Sequence, residues 1–596
     1  MLRPSTRSLR SLAQDEVLSF LQGPISLILS KGRQARGEGR TISRQACLLA
    51  LATLLAFSAP ALAREQLVIG VSQFPPTLNP SIDAVLAKSY VLGMARRPIT
   101  AFDARWQLVC MLCVTLPSFE NRLAERVALP NGKEGVRLTY TLQPNATWGD
   151  GVPVSTEDVL FTYEVGKHPK SGISNAELYR RIVDIHAIDA KTFSLTQDRI
   201  DYEYQGLGDF EVLPAHIERA AFADPANYRF RTRYDTDPTN PGLYFGPYRI
   251  TELVPGSRVV LERNPTWWGQ PPAFERVVVS VVENTAALEA NLLAGSIDMV
   301  PGEVGQISVD QALAFERRHS DRFVVVTKPG LFYEHLAPNL DNPILADLRV
   351  RQALLYGLDR AGINETMYGG KQPVADTIVH PLDWVHADDV RKYPYDPPQA
   401  RALLEAAGWY ASGDGIRRNA GGERLSLDLA TTSGNRTREL LEQVMQSQWR
   451  AIGVEVHLRN QPARVLFGET LRKRAFELAL FGWVSAPENV PRSELNSEEI
   501  PSLENGYRGQ NNVGYRNPEM DKLMDEIEIT LDRAAREQLW HRLQGIYAET
   551  LPDLPLFFRA DSYVLPKWLA GLAPTGHLNV STLWIEDWRD TEAATQ

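Results

Sequence analysis

The sequence predicts an α/β protein in which mixed or mostly parallel sheets are covered by helices. Two strand–helix–strand units carry this prediction, one over residues 276–300 and the other over residues 425–458. Two strands joined through a helix pair in parallel, because the helix returns the chain to the end of the sheet where the first strand began. The composition, 44% apolar and 23% charged, supports several buried cores and is too apolar for a disordered chain.

The first unit begins with an apolar strand at residues 276–282. Asn284 follows, and its side chain can accept hydrogen bonds from the free amides of a helix that runs from residue 285 to about residue 294. Gly295 ends that helix, and residues 297–300 are predicted to form the next strand.

In the second unit, apolar and polar residues alternate over residues 425–429, which is typical of a strand. Residues 437–451 follow with helical spacing, and residues 454–458 and 476–481 are two further strands. The predicted apolar stripe of the helix consists of Leu440, Leu441, Val444 and Met445.

Four other helix starts are indicated by a capping residue, in two cases followed by a proline at the first helical position. The capping residues are Ser155 with Asp158, Asp347, Asp396 and Asn517. These are structural devices, and none of them indicates a chemical reaction.

Residues 1–63 are interpreted as a leader with a signal peptide. A short apolar h-region at residues 46–57 follows two arginines, and an Ala-x-Ala site predicts cleavage after Ala63. The h-region is short for a membrane-spanning helix, so an uncleaved anchor is the weaker alternative. Cys47 lies at the front of the h-region rather than behind it, which argues against a lipid anchor. Because the leader is unusually long, we hypothesise that translation starts near residue 40.

The charge balance excludes several classes of protein. The leader carries eight basic and three acidic residues, so residues 64–596 carry a net charge of −15. Such an acidic chain lacks the basic face that a general nucleic-acid binder needs. No apolar run of about 20 residues follows the leader, which excludes a polytopic membrane protein. An acidic, exported protein without a lipid anchor is typical of the periplasm, and that is the location we expect.

The chain contains none of the common catalytic motifs, such as G-x-S-x-G, H-E-x-x-H, G-x-x-x-x-G-K-[ST] or G-x-G-x-x-G. His380 and His386 have a spacing that fits no common metal site. We therefore expect no catalytic residue, no metal and no cofactor. Cys110 and Cys113 form a C-x-x-C in an apolar run, which favours packed thiols or an incidental disulfide over a redox pair. A chain of this kind is more typical of a binding protein than of an enzyme.

A set of ordered motifs resembles the extracellular solute-binding proteins of family 5, the dipeptide-, oligopeptide- and nickel-binding proteins of ABC importers. Residues 148–159, WGDGVPVSTEDV, are similar to the W-x-D-G-x-P-[VF]-[TS]-A-x-D-V signature of that family. The resemblance spans about residues 66–590. Further matches follow in the family's order at residues 246–249, 263–268, 293–298, 347–360, 395–409, 514–521 and 554–556.

The resemblance implies two lobes joined by a hinge, with the ligand held between them, and a small domain inserted in one lobe. Transferred to this chain, lobe I consists of residues 64–105, 205–327 and 560–596. The inserted domain consists of residues 106–204, and lobe II of residues 328–559. The resemblance also implies a monomer that captures a small peptide or peptide-like ligand and docks on the permease subunits of an ABC transporter.

Relatives that bind peptides hold the ligand's amine with an aspartate three residues after the tryptophan of a G-W-x-x-D segment. In this chain that position is Ala486, so the usual anchor is missing. Glu488 of the same loop is the candidate replacement; otherwise it is a solvated loop acid. The resemblance also gives Trp483, Tyr333, Tyr515 and Asn512 as candidate ligand contacts. A cleft of this composition suits a peptide with a blocked terminus, a glycopeptide, an oligosaccharide or a metallophore.

Three functions follow from these observations. The first is a substrate-binding protein of an ABC importer for peptides or peptide-like solutes. The second is a binding protein for a non-peptide solute or for sensing. The third is a secreted hydrolase, which would require an activated nucleophile or a metal that the sequence does not reveal.

Overall fold

A computed structural model describes residues 64–592, apart from residues 84, 283, 306, 506 and 508. The predicted leader, with its h-region and its signal peptide, lies outside the described residues. Within the described part of the chain, no helix has both the length and the apolar character needed to cross a membrane.

Seventeen strands occur in the described residues. They are β1 Gln66–Val71, β2 Thr100–Phe102, β3 Leu108–Cys110, β4 Ala124–Ala128, β5 Glu134–Thr141, β6 Ile182–Ala187, β7 Thr192–Gln197, β8 Tyr248–Val254, β9 Arg258–Arg263, β10 Arg276–Val281, β11 Phe323–Pro338, β12 Ser426–Ala430, β13 Glu455–Leu458, β14 Leu478–Val484, β15 Leu554–Pro566, β16 Leu569–Ala570 and β17 Arg589–Asp590.

The same residues contain seventeen α-helices. They are α1 Leu86–Ala95, α2 Thr156–Lys167, α3 Ala176–Arg181, α4 Ala215–Phe222, α5 Arg233–Thr236, α6 Thr285–Ala294, α7 Gly302–Gly305, α8 Val309–His319, α9 Pro343–Ala346, α10 Leu348–Tyr356, α11 Arg360–Tyr368, α12 Pro397–Ala406, α13 Arg436–Ala451, α14 Ala463–Val465, α15 Arg492–Leu495, α16 Pro518–Ile529 and α17 Arg533–Thr550. A π-helical segment, Leu466–Leu471, follows α14.

The predicted helix starts are confirmed. Asp347, Asp396 and Asn517 each accept a hydrogen bond from a backbone amide in the first turn of α10, α12 and α16. Ser155 and Asp158 form the predicted capping box at the start of α2. Such caps depend only on residues within one turn of each other, which is why the local sequence indicates them.

The first lobe is built on a four-stranded sheet in the order β1-β10-β9-β8. β1 is parallel to β10, and the other pairs are antiparallel. Tyr90 and Met94 of α1 are buried in the same core as Leu67 and Ile69 of β1. The predicted helix α6 is capped by Asn284 and ends at a left-handed glycine, as expected.

The predicted strand at residues 297–300 is only partly formed. Met299 bridges to Ile69, and Val300 bridges to Val564 of β15. The carboxylate of Asp298 accepts the Val68 amide at 2.7 Å. A side chain therefore takes the place of a backbone acceptor, which interrupts the ladder.

The second lobe contains a five-stranded sheet in the order β13-β12-β14-β11-β15. β12 is parallel to β13 and β14, as the strand–helix–strand pattern predicted. β11 is antiparallel to both β14 and β15, so this sheet is mixed rather than mostly parallel. Of the predicted stripe on α13, Leu441 and Met445 are buried, whereas Leu440 is 43% exposed. Leu441 and Met445 share a face because they are four residues apart; Leu440 is turned away by about 100°.

A separate antiparallel sheet has the order β4-β5-β7-β6 and packs around a core that includes Trp148, Val159 and Phe193. Besides capping α2, Asp158 accepts hydrogen bonds from the Trp148 indole at 3.1 Å and from the Ala215 amide at 2.9 Å. The acid of the WGDGVPVSTEDV motif is therefore a structural group. Cys110 and Cys113, next to this core, form a disulfide.

β11 and β15 run through both lobes as one long antiparallel pair. Their first stretch, from Phe323 opposite Pro566, packs in the first lobe with α6. The register shifts between Pro329 and Tyr333, and the second stretch belongs to the core of the second lobe. This shift is the place where two strands leave one lobe and enter the other. The predicted domain boundaries stay a prediction; the β2–β3 hairpin spans the one at residues 105 and 106.

Candidate ligand-binding site

A cleft in the second lobe begins where β11 enters it. Its empty space, including the mouth that opens to solvent, measures about 540 Å³. The residues that line it are Leu331, Tyr333, Ile378, Val379, His380, Asp383, Trp483, Val484, Ser485, Ala486, Asn489, Pro491, Glu494, Trp540 and Phe558.

Two of the predicted contacts, Tyr333 and Trp483, are opposite each other in the β11–β14 ladder and both line the cleft. Trp483 is half-buried and meets Phe481 edge to face, with ring centroids 5.3 Å apart. Tyr333 is buried, and its hydroxyl lies 2.8 Å from that of Tyr547. Burial raises the pKa of Tyr333 well above its usual range, so it remains a neutral phenol. Contact of either residue with a ligand stays a prediction.

Glu488 lies beside the cleft in a group that we call the Glu488 cluster: Tyr202, Trp384, Glu488 and Arg536. Its carboxylate is paired with Arg536 and accepts the Trp384 indole N–H at 3.0 Å. Its carbonyl accepts the Tyr202 hydroxyl at 2.7 Å. Burial raises the pKa of Glu488, and the charge of Arg536 opposes that rise. The carboxylate is thus held inside the protein, so the description of a solvated loop acid is wrong.

The structure does not bring Tyr515 and Asn512 into this cleft. Both are nearly buried. The Tyr515 hydroxyl lies 2.8 Å from the Thr550 hydroxyl, and the Asn512 carbonyl accepts a hydrogen bond from Arg474 at 3.0 Å. These bonds hold the loop before α16 in place. Their proposed role as ligand contacts stays a prediction without a position in the cleft to support it.

Six polar residues of the cleft were missed as site residues by sequence reasoning: His380, Asp383, Ser485, Asn489, Glu494 and Trp540. Burial raises the pKa of Asp383 to about 6 and that of Glu494 above its usual range. The only available signal was that Glu494 belongs to residues 487–512, a long polar stretch of weak periodicity that is typical of a functional loop. Nothing in the sequence connects His380 or Trp540 to that stretch.

The wall at His380 is covered from outside the second lobe. Trp106, in the β2–β3 hairpin, places its ring centroid 4.9 Å from that of His380. The Trp106 indole donates to the Thr575 carbonyl at 2.7 Å, which fixes the ring. Phe558 meets the other side of His380, with centroids 4.6 Å apart. No lysine or arginine is among the described residues that line the cleft, and the described residues contain no cluster of three or more potential metal ligands.

Residues 119–493, more than half of the chain, match the family model for bacterial extracellular solute-binding proteins, family 5 Middle. The chain belongs to this family. Its members bind solutes, and membership accounts for the two lobes, for the strands β11 and β15 that pass between them and for the cleft beside these strands.

Curated relatives and solved structures agree with this assignment. The oligopeptide-binding protein AppA of Bacillus subtilis is 26% identical over 520 residues, which cover 85% of this chain and 88% of the relative. The nickel-binding periplasmic protein of Escherichia coli is 22% identical over 72% of this chain and 79% of the relative. The crystal structure of the oligopeptide-binding protein of Thermus thermophilus, complexed with a pentapeptide, is 29% identical. It covers 89% of this chain and 97% of its own, with a TM-score of 0.65.

Proposed function

We propose that this family 5 solute-binding protein serves an ABC importer in the periplasm. It captures peptides or peptide-like solutes between its lobes and delivers them to a membrane permease. The observation that carries the proposal is the position of the cleft, directly where β11 and β15 pass from one lobe to the other. The contacts of a ligand bound there change with the angle between the lobes.

Capture follows from the contacts that reach the second lobe from elsewhere in the chain. Trp106 covers His380, and the Tyr202 hydroxyl donates to Glu488. Both contacts require the lobes to be close together. A ligand that bridges the lobes binds this arrangement better than an open one, and so shifts the population toward it. The closed form is then the one that docks on the permease. The protein itself carries out no reaction in this proposal.

The aromatic walls of the cleft suit a peptide. Tyr333, Trp483 and Phe558 present apolar surface to side chains, and the exposed end of β14 offers backbone groups to an extended chain. Ala486 supports the alternative, a binding protein for a non-peptide solute or for sensing. It stands where the family resemblance implies an aspartate that binds the amine of a peptide.

Location and organisation belong to the same proposal. Residues 1–63 act as a leader that is cleaved after Ala63, and the mature chain is a periplasmic monomer. Residues 64–105, 205–327 and 560–596 act as one lobe, residues 328–559 as the other, and residues 106–204 as the inserted domain.

The test is native mass spectrometry of the mature protein, as purified and again after unfolding and refolding to remove bound ligand. A ladder of extra masses that fragment as peptides, lost on refolding, is the expected result. A single non-peptide mass would overturn the peptide assignment and favour the alternative. Deletion of the neighbouring permease should abolish uptake of the identified ligand; unchanged uptake would overturn the transport role.

A further inference from the structure

The cleft contains three polar atoms that have no hydrogen-bond partner among the described residues: His380 Nε2, Trp540 Nε1 and Glu494 Oε2. His380 and Trp540 are each only 1% exposed. A buried polar group without a partner costs roughly 1–3 kcal/mol, so such groups are rare unless something else satisfies them. All three residues line the same cleft, which indicates that the missing partner is a ligand.

The protonation of His380 is decided by its other nitrogen. Nδ1 accepts the Leu382 backbone N–H at 2.9 Å, so the proton of the neutral ring is on Nε2. Burial lowers the pKa of His380 to about 3, which keeps the ring neutral. His380 Nε2 is therefore a neutral donor. Trp540 Nε1 can only donate. Both groups are therefore donors, which bond acceptor oxygens such as peptide carbonyls.

Unlike these two donors, Glu494 is an acceptor, and no lysine or arginine among the described residues lines the cleft beside it. Its neighbour in sequence, Arg492, is paired with Asp525 and Glu528 instead. Burial raises the pKa of Glu494, a hydrogen bond with the Ser493 side chain lowers it, and the charge of Glu499 adds to the rise. Glu494 in turn raises the pKa of Asp553. The described lining of the cleft includes a further acid, Asp383, and no lysine or arginine.

Glu488 cannot serve the same purpose without giving up Arg536, which already neutralises it. Glu494 follows Ala486 by eight residues and lies on the short helix α15. Residue 486 is an alanine, so Glu494 is the residue of this loop whose carboxylate reaches the cleft with an oxygen that has no partner among the described residues.

We infer that Glu494 anchors a positively charged ammonium group of the ligand, while His380 and Trp540 donate hydrogen bonds to its carbonyl oxygens. This inference rests on the proposed function and narrows it to peptides that carry a free amine. The ammonium group is either the α-amine of the peptide or a lysine side chain, and the experiment distinguishes the two.

The test uses three pools of tri- to pentapeptides made from Gly, Ala, Ser, Leu, Phe and Tyr. The first pool has free amines, the second is N-acetylated, and the third is N-acetylated with one lysine per peptide. Bound fractions are measured by native mass spectrometry, and the best binders of each pool are titrated by tryptophan fluorescence. We expect at least about tenfold tighter binding of one ammonium-bearing pool than of the acetylated pool, because a charged hydrogen bond contributes more than a neutral one.

Glu494→Gln should reduce that preference to about twofold or less, and Glu494→Asp should restore part of it. Glu498→Gln is the matched control, since Glu498 is an exposed acid of the same loop, and it should leave the preference unchanged. Equal binding of all three pools, or a preference that survives Glu494→Gln, would overturn the inference while leaving peptide binding intact. Failure of all three pools to bind would overturn the proposed function itself.

Discussion

Glu488 and Glu494 lie on the same loop, and their surroundings are opposite. Glu488 has its carboxylate paired with Arg536 and bonded to Trp384, so the protein satisfies this charge by itself. Glu494 has an oxygen without a partner, in a cleft whose described lining contains no lysine or arginine. The comparison teaches that neither the charge of a side chain nor its position in the sequence decides its role. Its bonding partners do: a carboxylate whose oxygens are bonded stabilises the fold, and one with an unbonded oxygen is available to a ligand.

The strongest test of the Glu488 cluster is Arg536→Met. The side chains of Arg536 and Glu488 are 9% and 14% exposed, and removing one partner leaves an uncompensated buried charge. We expect the free energy of unfolding to fall by about 3–5 kcal/mol, as measured by urea denaturation.

Arg542→Met provides the control for this change. Arg542 is on the same helix and pairs with Glu519 in an exposed position, so its loss should cost at most about 1 kcal/mol. Equal effects of the two substitutions would mean that the Glu488 cluster does not stabilise the fold.

Trp483→Ala tests the aromatic wall of the cleft. Loss of this ring should weaken binding of the peptide pool by about 10- to 100-fold, since a large aromatic contact is worth about 1.5–3 kcal/mol. Tryptophan fluorescence or calorimetry measures the affinity. Trp267→Ala is the control: Trp267 lies in the first lobe beside Arg97 and does not line the cleft. Unchanged affinity of the Trp483 variant would remove this residue from the site.

The pH dependence of the free energy of unfolding tests the raised pKa of Asp553, an acid that interacts with Glu494. Burial raises the pKa of Asp553 to about 8, with Glu494 adding to the rise. Between about pH 4 and pH 8 the folded chain keeps this proton while the unfolded chain has lost it, so Asp553 makes stability fall as the pH rises through that window. Asp553→Asn should lose less stability between pH 5 and pH 8 than the unmodified protein, measured by urea unfolding at both values. Identical losses would contradict the raised pKa.

The smallest effect on stability is expected for Glu494→Gln. Because Oε2 has no partner to lose, the free energy of unfolding should stay within about 1 kcal/mol of the unmodified protein, or rise. Urea unfolding without ligand provides the measurement. A loss as large as that of Arg536→Met would show that Glu494 is a structural residue like Glu488.

Local signals in the sequence were sufficient for much of the fold. The caps at Ser155, Asp347, Asp396 and Asn517 depend on neighbours within one helical turn. The strand–helix–strand unit around α13 gave the right parallel pairs for the same reason. Of the two predicted arrangements, mixed or mostly parallel, the second-lobe sheet is mixed, because β11 and β15 join it through antiparallel pairings that are far apart in the chain.

The site was less predictable than the fold. The resemblance pointed to Tyr333 and Trp483, which the β11–β14 register brings together in the cleft. It also pointed to Tyr515 and Asn512, whose polar groups are bonded within the second lobe. His380 and Trp540 come from segments about 160 residues apart, so no sequence pattern links them.

By itself the sequence determined the class of the protein, because capping residues, periodicity and ordered motifs act over short distances. It also determined that residue 486 offers no charge to a ligand. Only the tertiary structure decided which of the nearby acids is already bonded. Glu488 bonds to Arg536 and Tyr202 from distant parts of the chain, whereas Glu494 Oε2 has no hydrogen-bond partner among the described residues. Satisfaction of a buried polar group depends on which atoms the fold brings within about 3 Å, and that distance is set by packing rather than by position in the chain.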